Sequence, residues 1–274
     1  MNLQEWVGRE EVARDRLTPA MLARLYATLD REAASTIVGP PLAHWICFLP
    51  AAAQSAIDID GHPRRGGFLP PIDLPRRMWA GGRLTFHADL PIDVPLERRS
   101  TIRSIKEKSG ATGKLVFVTV QHEISADGTP IVSEEQDIVY REGASSGAPV
   151  PPPPPPPAIA PCDAERELTA DPVLLFRFSA LTFNAHRIHY DRDYARNEEG
   201  YAGLVVHGPL LATLLMHHWL AHNGERRPQS FDFRAQKPLI DGAPFALCLA
   251  GSDEGTRLWT RDAQHHVTMS ADIT

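Results

Sequence analysis

The sequence predicts an α+β fold built twice in tandem, each copy an antiparallel sheet curled around a helix. Three observations predict it. Each half carries helical spacing followed by alternating, β-branched runs. The stretch that begins at Gly208 is apolar around nearly its whole circumference, which suits a helix buried inside a sheet. A proline block separates the two halves.

The first half is residues 1–142. Pro19–Glu32 (PAMLARLYATLDRE) has apolar residues at helical spacing, with Thr18 as its N-cap. Arg83–Leu90, Thr101–Lys108, Lys114–Ile124 and Ile131–Tyr140 read as antiparallel strands, the last two joined by a turn at Asp127-Gly128. Residues 143–161 read as a linker. The run Pro151–Pro157 excludes helix and central strand and favours an extended polyproline rod.

The second half is residues 162–274. Val173–Leu181 reads as a strand or strand-to-loop segment, followed by a short helix from Asp191 and a helix over Pro209–His222. Strands are predicted at Gln229–Gln236, Ala243–Ser252, Thr256–Asp262 and His265–Asp272. A sheet rolled round a central helix is a hot dog, and two such units pair side by side. The expectation is therefore a tandem double hot dog, paired within one chain as a pseudo-dimer, with a homodimer of such chains left open.

Composition narrows the partners. A net charge of -6 leaves no basic surplus for nucleic acid or an anionic membrane surface. Three scattered cysteines (Cys47, Cys162 and Cys248) fit reduced thiols rather than a disulfide framework. With no leader and no apolar run near the ~20 residues of a membrane span, the expectation is a soluble cytoplasmic protein.

The chemistry concentrates in Phe183–Asp191 (FNAHRIHYD) and in the turn His207-Gly208-Pro209. An imidazole titrating near neutrality beside a group that positions water suits general acid–base work. Asp191 reads as the N-cap of the following short helix, and His207 as a turn residue. His218 and His222 stand four apart, close to His217, but no HExxH glutamate or third ligand accompanies them, so no metal is expected. No glycine-rich nucleotide loop is present, so no nucleotide cofactor is expected.

Asn184 to Asp191, then Tyr194-Ala195, then Gly203 to Leu210 resemble the signature of MaoC-like enoyl-thioester hydratases, Asp-x-Asn-Pro-x-His-x-Asp with a helix starting at a His-Gly pair. His189 falls on that family's catalytic histidine and Asn184 on its catalytic aspartate. His186 falls on its asparagine and Arg187 on its proline. Asparagine at the first position resembles one branch, the 3-methylfumaryl-CoA (mesaconyl-C4-CoA) hydratases and the mitochondrial-type 3-hydroxyacyl-thioester dehydratases. Gly66–Pro71 and Leu74–Arg83 resemble the degenerate N-terminal hot dog of the former.

The resemblance implies a hydro-lyase. His189 would take a proton from water and deliver one to the α-carbon, while Asn184 orients the water. The backbone N–H of Gly208, at a helix N-terminus, would hold the developing oxyanion. A substrate carboxylate would meet an arginine: Arg187, Arg83, Arg76 or Arg77, with His186 nearby. Arg234 and Lys237 are the candidates for CoA phosphates or pantetheine. The first half carries no second copy of the motif, its nearest echo being Ile57–Arg65 (IDIDGHPRR). One active site per chain is expected, with the first half shaping the acyl tunnel. Two other readings stand beside this one, a dehydratase of straight-chain 3-hydroxyacyl thioesters carried by CoA or an acyl carrier protein, and a non-catalytic acyl-thioester-binding module. A thioesterase would want a carboxylate on the central helix, where PLLATLLMHHWL supplies none.

Overall fold

Alternation along the chain builds the sheet. In β6 (Gly113–Ala126) every second side chain from Val116 onward is buried, and β7 (Thr129–Arg141) returns beside it. The two residues between them, Asp127 (φ 47°) and Gly128 (φ 80°), adopt the paired left-handed geometry that matches strand twist, as expected of an Asp-Gly turn. The computed structural model describes residues 2–32, 38–110, 113–142, 161–224, 226–252 and 255–274. The polyproline reading of 143–161 falls almost wholly outside the described residues.

In the first half come β1 (Glu10–Arg16), α1 (Pro19–Thr28), β2 (Val38–Gly39), β3 (Arg76–Phe86), β4 (Leu90–Pro91) and β5 (Pro95–Gly110), then β6 and β7. In the second come β8 (Ala164–Thr169), α2 (Pro172–Leu181), α3 (Arg192–Asn197), α4 (Gly208–Asn223), β9 (Ser230–Ala235), β10 (Pro244–Ser252), β11 (Gly255–Asp262) and β12 (Val267–Ile273). One ten-stranded antiparallel sheet runs β1-β5-β6-β7-β3-β9-β12-β11-β10-β8, and β2 and β4 form a separate ribbon. Read outward from the centre, the two halves have the same order. They meet where β3 pairs antiparallel with β9, from Gly81 opposite Arg234 to Thr85 opposite Ser230. The fold is a double hot dog, an intramolecular pseudo-dimer in a single chain.

Helix α4 is the central helix of the second half. Pro209 sits in its first turn, where the missing N–H costs nothing, and Gly224 closes it in the left-handed conformation (φ 69°). Every residue from Leu210 to Leu220 is buried, and the helix packs on β10, β11 and β12. The expected all-round burial is met.

The structure corrects two expectations. Val173–Leu181 lies in a helix, α2, not a strand. Asp171 caps it by accepting from Leu174 N–H (2.7 Å) and Pro172 opens its first turn. Leu175 and Phe178 are buried while Val173 and Phe176 face outward, which is helical and not alternating spacing. The duplication also differs in detail. Helix α1 repeats α2, not α4, since each follows an edge strand with the same cap-then-proline start, Thr18-Pro19 and Asp171-Pro172. Among the described residues the first half has no counterpart of α4. A short turn at Ala43–Ile46 occupies that stretch, where His44 (3.1 Å) and Trp45 (3.0 Å) donate to the buried carboxylate of Glu134. No helix is long and apolar enough to cross a membrane among the described residues.

Candidate active site

Helix α2 ends at Leu181, and Phe183 then turns the chain through φ 48°. Asn184 N–H donates to the Ser179 carbonyl (2.8 Å), fixing the loop to the helix it leaves. The Asn184 side-chain carbonyl accepts from His186 N–H (3.0 Å), an Asx turn. With one lone pair of its oxygen engaged there, Asn184 offers its amide NH₂ as a donor to the cavity it lines.

A one-turn 3-10 helix, Arg187–His189, then aims His189 inward. Its Nδ1–H donates to the Val205 carbonyl (2.7 Å), which leaves Nε2 as the lone-pair nitrogen. The ring is buried and stacks on His207, with centroids 3.6 Å apart and planes 20° off parallel. His207 is bonded in turn to the buried Ser179 hydroxyl (2.9 Å). Burial pushes the His189 pKa down to about 4, against the pull of the Val205 carbonyl. The His207 pKa is held well below its ordinary value by burial and by His189. Both rings are thus neutral near pH 7, so His189 is ready to act as a base.

A cavity of about 350 Å3 collects these groups. Asn184, His186, His189 and Gly208, the first residue of α4, line it together, as does Lys237. The helix presents unpartnered backbone N–H groups at that end. Lys237 Nζ is already paired with Asp262 (2.7 Å) at the rim. His186 is buried, and burial and the neighbouring His62 hold its pKa down at about 2.

Three predicted substrate contacts lie elsewhere. Arg187 turns back on Asp191 (2.7 Å), its neighbour one helical turn on, and covers the Tyr194 ring. Arg83 lies on the outer face of the β3–β9 seam, held by Glu135 (2.8 Å) and Asp137 (2.7 Å). Arg234 alternates outward on β9 between the buried Phe233 and the half-buried Ala235. Asp191 caps α3 through Tyr194 N–H (3.0 Å), as expected.

The first half supplies much of the opposite wall, through Arg76, Arg77, Trp79, Gln136, Arg141 and His62. Arg76 pairs with Glu199 (3.1 Å), whose pKa burial raises despite that arginine. Arg77 and Arg141 have no carboxylate partner within 4 Å among the described residues. His62 and Arg141 escaped the sequence reading as site residues. Only the position of His62, inside the loop IDIDGHPRR, gave a signal.

The family model for hydroxyacyl-thioester dehydratase type 2 matches residues 42–241, spanning both the cavity wall from the first half and the histidine motif. The chain belongs to the hydroxyacyl-thioester dehydratase type 2 family. It is an enzyme of the hydratase–dehydratase class with a MaoC-like hot-dog fold. Within the curated relatives, it is 53% identical over 273 residues to a mesaconyl-C(4)-CoA hydratase of Chloroflexus aurantiacus, covering 98% of this chain and 96% of that one. A mitochondrial hydroxyacyl-thioester dehydratase type 2 of Schizosaccharomyces pombe is 26% identical, over 90% of this chain and 91% of that one. Among solved structures, HtdX of Mycobacterium tuberculosis shares the fold, with a TM-score of 0.67 and 18% identity over 97% of this chain and 99% of that one.

Proposed function

We propose that this family member hydrates the conjugated double bond of a dicarboxylic enoyl-CoA, mesaconyl-C4-CoA (3-methylfumaryl-CoA), to citramalyl-CoA. One observation carries the chemistry: His189 is locked through Nδ1 to Val205, with its Nε2 in a cavity shared with Asn184 and the N-terminus of α4. The substrate reading is supported by the 53% identity to the Chloroflexus enzyme. The family also contains dehydratases of 3-hydroxyacyl thioesters, and the S. pombe relative keeps that activity as the second reading.

His189 Nε2 takes a proton from water as its oxygen bonds to the β-carbon. The π electrons move onto the thioester oxygen, where the Gly208 N–H donates, a contribution of about 3–4 kcal/mol by analogy with other oxyanion holes. His189 then returns the proton to the α-carbon on the same face. Asn184 holds the water through its amide NH₂. His186 supports the motif turn beside the acyl group, and Lys237 lies where the CoA arm would leave. The CoA is part of the substrate, and no separate cofactor or metal is required. Residues 1–142 form the half without a motif, 143–161 the connector and 162–274 the catalytic half, working in the cytoplasm as a pseudo-dimer that is complete in one chain.

The free carboxylate of such a substrate needs a cation within the cavity, and Arg77, facing it without an ion-pair partner among the described residues, fits that need. Arg77→Ala should lower kcat/KM on mesaconyl-C4-CoA by about tenfold or more, while straight-chain crotonyl-CoA is affected much less. Measuring both substrates with both proteins checks this. A wild type that prefers crotonyl-CoA, or a ratio unchanged by the substitution, would contradict the dicarboxylate reading.

A further inference from the structure

The loop Ile57–Arg65 of the first half has no part in the mechanism so far. It folds on itself, Asp58 N–H donating to the His62 carbonyl (2.7 Å) and Gly61 N–H to the Asp58 carbonyl (3.0 Å). Its tip presses on the histidine motif of the second half. Arg187 N–H donates to the Asp60 carbonyl (2.9 Å), and the Arg187 guanidinium reaches the Ile59 carbonyl (3.2 Å). Gly61 sits at φ 92°, and a Cβ there would stand 1.7 Å from the Ala185 carbonyl oxygen. Backbone meets backbone midway between Asn184 and His186.

This contact delivers a carboxylate and an imidazole to the site. Asp60 Oδ2 lies 3.1 Å from His62 Nδ1, and Asp60 Oδ1 accepts His62 N–H (2.8 Å). A carboxylate only accepts, so Nδ1 carries a proton, and burial, which lowers the His62 pKa, favours the neutral ring whose Nε2 keeps the lone pair. Burial alone would raise the Asp60 pKa, but the side-chain and backbone hydrogen bonds from His62 help to bring it well below the usual carboxylate range. The dyad is the arrangement that elsewhere fixes the tautomer of a working histidine. His62 lines the acyl cavity, its ring centroid 4.2 Å from that of His186, which stands 5.4 Å from that of His189.

An attacking water has two protons to place. His189 Nε2 takes one. Asn184 has one lone pair of its carbonyl engaged with His186 N–H and offers its NH₂, a donor. The second proton needs a hydrogen-bond acceptor, and the first-half wall brings the oriented imidazole of His62 into the same cavity. We propose that His62 Nε2, oriented by Asp60, is that acceptor, so that the first half contributes a catalytic residue. The inference rests on the hydratase reading above. In the step, the oxygen–carbon bond forms, His189 takes one proton, the π pair moves into the enolate, and the same proton returns to the α-carbon. His62 accepts a hydrogen bond throughout and ends unchanged.

The test is hydration kinetics on mesaconyl-C4-CoA for wild type, His62→Ala, His62→Gln and His62→Ala/Asn184→Asp, with the melting temperature of each. His62→Ala should lower kcat by about 100-fold or more with KM within about threefold. His62→Gln, whose carbonyl still accepts, should lose about tenfold or less. A carboxylate introduced by Asn184→Asp should restore about tenfold to the His62→Ala background, a recovery that a merely structural loop does not produce. Should His62→Ala fail to fold, the comparison passes to His62→Gln with and without Asn184→Asp. A kcat for His62→Ala within about threefold of wild type overturns the inference, as does the absence of rescue in a folded double variant. A wild type inactive on every enoyl-CoA overturns the hydratase reading and this inference together, whereas an active wild type beside an undiminished His62→Ala overturns this inference alone.

Discussion

His189 works because of what its other nitrogen does. Donating Nδ1–H to Val205 fixes the tautomer, and stacking on His207 fixes the plane. The asparagine at 184 is legible in the sequence, but its engagement is not: nothing in the order of residues says that its carbonyl turns back onto His186 N–H. Gly208 offers a test at the same scale. A methyl there would meet only ordinary contacts, Trp79 O at 3.8 Å and Met269 Cε at 3.9 Å, so the protein itself has room for it. It would crowd the thioester where the helix N–H groups face the cavity. Gly208→Ala should therefore keep its melting temperature while kcat/KM falls by about tenfold or more. Thermal melting beside hydration kinetics checks it, and full activity would remove Gly208 as the oxyanion contact.

At the scale of elements, periodicity reveals what has a face. The strands of β5, β6, β7 and β9 to β12, and the buried α4, are readable because alternation or all-round apolarity repeats over many residues. Helix α2 is harder, since its short run VLLFRFSAL is apolar at nearly every position and only the Asp171-Pro172 cap distinguishes helix from strand. Loop 57–65 is harder still. Its role depends on a partner more than a hundred residues away, and no local pattern encodes such an approach. The same nonlocality misplaced Arg83 and Arg187, whose charges suggest substrate while nearby carboxylates hold them. The loop makes its own prediction. Gly61→Ala combines a positive φ with backbone overlap, so it should cost about 1–3 kcal/mol or push the loop off the motif turn. Chemical denaturation with a parallel activity assay would register the loss, and unchanged values in both would show that the loop does not dock there.

Over the whole molecule, the β3–β9 seam makes two diverged halves into one sheet and one cavity. The duplication is visible in the sequence, but the seam that joins it is not, because it pairs strands from different halves that lie far apart along the chain. Burial also sets an acid limit. His122 and His189 have pKa values lowered to about 4, His217 to about 3 and His186 to about 2, burial being the largest cause in each. From about pH 6.5 downward the unfolded chain therefore binds protons that the folded chain refuses. Stability is fully present above that pH and falls as pH drops toward the folded values, each such histidine costing about 1.4 kcal/mol per pH unit. The melting temperature should drop between about pH 7.5 and pH 5.5. A rise over that interval would mean that these imidazoles are not buried in their neutral form.

The most direct test of the account is the rate at which the purified chain removes the conjugated enoyl-thioester absorbance of mesaconyl-C4-CoA, compared with its His189→Ala variant. The wild type should turn over, and the variant should lose about 100-fold or more at an unchanged melting temperature. Turnover by folded His189→Ala at the wild-type rate would contradict it.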